Sequence, residues 1–125
     1  MSQFKDEILQ VFPYLFEKLR FEFVDLDNDY GGNVVVAQSD TMRIRFVDDR
    51  ADFFLDIGQV ADPDRWIEFY KIINTLKAEG RVHSEYKYSN KVRSVSRLLE
   101  LYFSQIQNVL LKKGSAPSEI RLGRF

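Results

Sequence analysis

The chain has 125 residues, with no cysteine, one histidine, 45% hydrophobic and 30% charged residues, and a net charge of −1. That length suits one domain with a real core, and that composition excludes a disordered chain. The missing cysteines exclude disulfides, thiolate metal sites and a cysteine nucleophile, and no stretch approaches the roughly 18 apolar residues of a membrane span.

The first residues, MSQFKDEILQ, carry charge at once and lack an apolar run. Neither a signal peptide nor a membrane anchor is expected, and the expected compartment is the cytoplasm. Residues 2–19 predict an amphipathic helix with Ser2 as N-cap. Phe4, Ile8, Val11, Phe12, Leu15, Phe16 and Leu19 recur at helical spacing. Pro13 conflicts with it, because proline removes a hydrogen bond and clashes with the preceding turn. A kink, or two shorter helices meeting near Phe12, is expected.

Phe21–Leu26 reads as a first strand, with Phe21 and Phe23 on one face. A loop follows by composition, from Asp27 to Asn33. Asp25, Asp27 and Asp29 stand two apart, as at the start of an EF-hand loop. However, Tyr30 occupies the position of the required glycine and Val36 that of the bidentate glutamate. A solvated acidic turn is the reading, and no metal is expected.

Asn33–Gly58 organises the chain as three antiparallel strands. Val34–Gln38 is a β-branched run, and Ser39-Asp40 a polar break. Thr41–Val47 alternates, with Met42, Ile44 and Phe46 on one face and Arg43 and Arg45 on the other. Asp48-Asp49-Arg50 is read as a second break. Phe53, Leu55 and Ile57 then oppose Phe54 and Asp56. One face must be covered, while the other carries Arg43, Arg45, Asp56 and the ring of Phe54. Pairing of Arg43 or Arg45 with Asp56 is the plain expectation. The sharper one is that Phe54, framed by charges, marks a partner-binding patch.

Asp62-Pro63-Asp64 has the form of a helix start, with Asp62 as N-cap and Asp64 and Glu68 near the positive end. Trp66, Phe69, Tyr70, Ile73 and Leu76 would be its buried stripe, and Gly80 its end. Residues 81–90 are a polar connection holding His83, the only histidine, which is read as a surface residue. Tyr86 and Tyr88 among basic residues resemble a nucleic-acid platform only in composition, since no RNA-binding motif accompanies them. Lys91–Lys113 predicts a long third helix, with Val92, Val95, Leu98, Leu99, Tyr102, Ile106, Val109 and Leu110 as its stripe. Residues 114–125 are expected to be a tail, leaving 1–113 as the single domain.

The expected fold is therefore α+β: a four-stranded antiparallel meander with three helices packed on one face. Charge is uneven along it. Residues 1–64 hold 14 acidic against 6 basic side chains, and residues 65–125 hold 5 against 12. There is no P-loop, dinucleotide glycine pattern, HExxH or G-x-S-x-G. No catalytic residue and no cofactor are expected.

In layout the chain resembles the immunity proteins of bacterial polymorphic and contact-dependent toxin systems. The stretches that carry the resemblance are SDTMRIRFVDDRADFFLDIG, the DPDRWIEFYKIINTL segment and SVSRLLELYFSQIQNVLLKK. The resemblance implies a cytoplasmic, non-catalytic binder that blocks a cognate toxin, often a nuclease. An acidic surface would occupy the toxin's basic groove, with aromatic anchors adding affinity. Asp25, Asp27, Asp29, Asp48, Asp49, Asp52 and Phe54 are the candidate partner-binding residues. The expected partner is a protein, not a membrane or a nucleic acid. The alternative is a general interaction module, including a homodimer through the third helix or the exposed sheet face.

Overall fold

The computed structural model describes residues 3–24, 34–49, 52–81 and 91–112. In chain order the elements are α1 (Gln3–Val11), α2 (Pro13–Glu17), β1 (Glu22–Val24), β2 (Val34–Gln38) and β3 (Met42–Asp49). They continue as β4 (Asp52–Gln59), β5 (Asp62–Glu68), α3 (Phe69–Ala78) and α4 (Val92–Lys112). The class is α+β, as expected, but the sheet has five strands in the order β1-β2-β3-β4-β5, each antiparallel to the next. There are four helices among the described residues, not three.

The extra strand comes from Asp62–Glu68, which the sequence presents as the first turns of a helix. Ile67 pairs with Ile57 and Trp66 with Gly58, and the register shifts between Gly58 and Gln59, which pairs with Asp62. Asp62, Pro63 and Asp64 therefore sit at an irregular edge of the sheet, where a missing N–H is tolerated. The helix begins only at Phe69, with Glu68 in an extended conformation and no side-chain cap. Trp66 and Tyr70 consequently leave the expected buried stripe, whereas Phe69, Ile73 and Leu76 keep it and Ile72 is buried with them. β3 is also longer than expected: Asp48 and Asp49 belong to the strand, paired with Phe53 and Asp52.

The extra helix comes from Pro13, which splits the N-terminal segment at Phe12 (φ −120, ψ 47) and stands in the first turn of α2. The break frees the Val11 carbonyl, and the Ser96 hydroxyl donates to it at 2.7 Å. Tyr14 Oη–H in turn donates to the Ser96 carbonyl at 2.7 Å. These two bonds tie the N-terminal helices to α4. α3 ends as expected. Gly80, at φ 76, donates to the Lys77 carbonyl and Arg81 donates to that of Leu76, closing a Schellman turn.

The core lies on one face of the sheet. Met42, Ile44 and Phe46 of β3 and Phe53, Leu55 and Ile57 of β4 share one cluster with Ile8, Phe12, Leu15, Ile72, Leu76, Leu99 and Ile106. Phe12 packs edge-on to Phe46, with centroids 5.3 Å apart. Each such ring contributes about 1.5–3 kcal/mol through burial. The helices thus cover one face of the sheet, and the other face is where a site can lie. His83, Tyr86, Tyr88, Ser2 and the 114–125 tail fall outside the described residues.

Candidate functional site on the outer sheet face

Alternation along the strands sets the uncovered face into rows of directly paired residues. One row runs Glu22, Gln38, Arg43, Gly58, Trp66. The next runs Val24, Val36, Arg45, Asp56, Glu68. A third runs Val34, Val47, Phe54.

In the first row, Trp66 lies over Gly58. A Cβ at Gly58 would be 3.4 Å from the indole and 2.7 Å from the Arg65 carbonyl oxygen. Glycine in mid-strand is what allows this approach. The indole also faces two guanidinium groups. Arg45 Cζ is 4.4 Å and Arg43 Cζ 5.1 Å from its centroid. Arg43 is held from the other side, donating from Nη1 to the Pro63 carbonyl at 3.1 Å.

In the second row, Arg45 donates from Nε and Nη2 to Asp56 Oδ2, at 3.0 and 2.8 Å. Of the two pairs the alternation allowed, Arg43 or Arg45 with Asp56, this is the one that forms. With 26% and 16% of the two side chains exposed, it is half-desolvated and stronger than a surface ion pair. Arg45 is thus held between a ring and a carboxylate. The row does not end neutral, because Glu68 stands directly opposite Asp56 on β5. Glu68 forms no ion pair with any described residue. The guanidinium of Arg45 is bonded to Asp56 alone, and like charges in directly opposed positions repel.

Beside this pair the face opens into a cleft of about 470 Å³, lined by Val47, Phe54, Asp56, Glu68, Phe69 and Tyr70 among others. Phe54 is 40% and Tyr70 43% exposed, whereas Val36 in the same row as Asp56 is buried. The accessible part of the face is therefore its β4–β5 end. No family model, curated protein or solved structure matches the chain.

The residues singled out from sequence divide between the two sides of the sheet. Phe54 stands at the cleft, and Asp52 is exposed two positions earlier on the same face. Asp49 is the register partner of Asp52. Asp48 pairs with Phe53 and lies toward the helices, in a separate hollow with Glu7, Lys91 and Arg93. Asp48 and Phe54 therefore do not share a surface. Asp25, Asp27 and Asp29 fall outside the described residues. Sequence reasoning missed Trp66, Glu68 and Tyr70, because it placed all three on a helix. Gly58 was the available signal: a glycine inside an alternating strand marks close approach by another chain segment.

Proposed function

We propose that the protein is a non-catalytic protein-binding domain of the immunity type, which neutralises a bacterial toxin in the cytoplasm. It engages the toxin with the β4–β5 end of its outer sheet face. The observation that carries this reading is Phe54, a large exposed ring at an apolar-walled cleft that Glu68 also lines, with Asp52 exposed two positions before it on the same strand face. A desolvating aromatic anchor inside an acidic surround suits a basic protein surface: the ring supplies affinity and the charges supply orientation and encounter rate.

Affinity capture from the source cells tests it, run with the wild type and with Phe54→Ala, Asp52→Lys and Asp48→Lys. One basic partner should be recovered in stoichiometric amount, lost with the first two variants and kept with the third. That partner expressed alone should arrest growth, and co-expression with the wild type should restore it. Capture indifferent to Phe54 and Asp52 would sink the reading. Leu101, 67% exposed on α4, favours a second one, a homodimer through that helix. A mass that rises with concentration, and falls to the monomer in Leu101→Glu, would support it.

A further inference from the structure

Resting on the binding role proposed above, we infer that the cleft receives an arginine side chain of the partner protein. The guanidinium lies against the rings of Phe54 and Tyr70 and is bonded by Glu68 and Asp56. The same sheet face shows the chemistry once already. Arg45 lies 4.4 Å from the Trp66 ring and donates two hydrogen bonds to Asp56. Both bonds go to Oδ2, so Oδ1 of Asp56 accepts from no described residue. One position further along the row, Glu68 adds a second carboxylate, which forms no ion pair with a described residue, while the guanidinium of Arg43 is turned to Trp66 and the Pro63 carbonyl. Phe54 and Tyr70 supply the rings, and Val47 and Phe69 complete the apolar walls.

Charge and shape then agree on the occupant. A cation between Asp56 and Glu68 turns their repulsion into attraction. A guanidinium meets this site better than an ammonium: its planar fork can address two carboxylates while its face stacks on a ring. An anionic group is repelled by Glu68, and a neutral donor gains a hydrogen bond there without the charge. The partner feature recognised is thus an exposed arginine within a basic surface.

The test is an amide-resolved NMR titration of the full chain with N-acetyl-arginine N-methylamide, alongside its lysine and citrulline counterparts. Citrulline keeps the shape and removes the charge. The arginine probe should produce saturable shifts at the amides of Phe54, Asp56, Glu68 and Tyr70, in the millimolar range expected of so small a ligand. Glu68→Gln should weaken it by about tenfold, the worth of one charge-assisted hydrogen bond. Lysine should bind more weakly and citrulline should not saturate. Equal response to citrulline, shifts scattered elsewhere, or indifference to Glu68→Gln overturns the inference. If capture still depends on Phe54 and Asp52 in that event, the binding role stands and only the arginine assignment falls. If the titration succeeds while capture ignores Phe54, the toxin-binding role falls instead.

Discussion

Gly58 and Trp66 face each other across β4 and β5, and the indole covers the place where a side chain at Gly58 would stand. From that position the ring meets Arg45, and Arg45 meets Asp56. The order of the outer face therefore depends on the absence of one methyl group.

Replacing Gly58 with alanine would put Cβ 2.7 Å from the Arg65 carbonyl oxygen. That neighbour is backbone and cannot rotate away. Alanine recovers some chain entropy in a strand, about 0.5–1 kcal/mol, but overpacking costs about 1–3 kcal/mol. Gly58→Ala should therefore lower stability in urea denaturation. Faster hydrogen exchange in β5 than in β2 would locate the damage.

The Asp56–Glu68 opposition and the N-terminus of α3 act on Glu68 with opposite signs. Glu68→Gln relieves a repulsion worth about 0.2–1 kcal/mol but gives up a favourable charge at the residue that opens α3, worth about 0.3–1 kcal/mol, so its stability should stay within about 0.5 kcal/mol of the wild type. Asp56→Asn removes the partner of a half-buried guanidinium and should destabilise. Denaturation of both variants at two ionic strengths checks the difference.

Tyr14 gives the fold a dependence on alkaline pH. Burial pushes its phenol well above the usual tyrosine range, and the hydrogen bond with Ser96 only partly counters this. The folded protein keeps the proton that the unfolded chain releases above about pH 10. The unfolded state then binds fewer protons, so stability falls as pH rises through that point and beyond. Tyr14→Phe should flatten this decline. At neutral pH it should cost about 1 kcal/mol through the lost hydrogen bond. Urea midpoints measured from pH 7 to pH 11 for both proteins test the slope.

Two helix exits offer a matched comparison. Arg20 holds φ 61 after α2, where Phe21 N–H donates to the Leu15 carbonyl at 2.9 Å, and Gly80 holds φ 76 after α3. Left-handed backbone is unfavourable for a residue with a Cβ. Arg20→Gly should stabilise by about 0.5–1 kcal/mol. Gly80→Ala should destabilise by a similar amount even though nothing lies within 4 Å of the added carbon. Thermal denaturation of the two variants should show shifts of opposite sign.

Much of the architecture was legible because its signals are local. Period-2 alternation in Thr41–Val47 and Phe53–Ile57 identified two strands and their buried faces, and put Arg43, Arg45 and Asp56 on one face, while the register chose Arg45 as the partner. The same alternation places Asp48 with Met42, Ile44 and Phe46. Reading Asp48 as a turn residue hid that parity, and with it the separation of Asp48 from Phe54. The candidate site was legible only at Phe54 and Asp56, because its other half, Glu68, Phe69 and Tyr70, lies where β5 passes into α3.

From sequence alone come the α+β class, the meander, the interruption at Pro13 and the helix end at Gly80. Each depends on neighbours within a few residues, through side-chain alternation, a missing N–H or a permitted positive φ. The tertiary structure alone decided the fate of Asp62–Glu68. Its Asp-Pro-Asp start and the spacing of Trp66, Phe69 and Tyr70 suit a helix, yet pairing with β4 made it a strand. Strand pairing is settled by a distant partner. Here Gly58 accommodates Trp66 and Ile57 meets Ile67, and that same pairing brings Glu68 against Asp56 and opens the cleft beside Phe54.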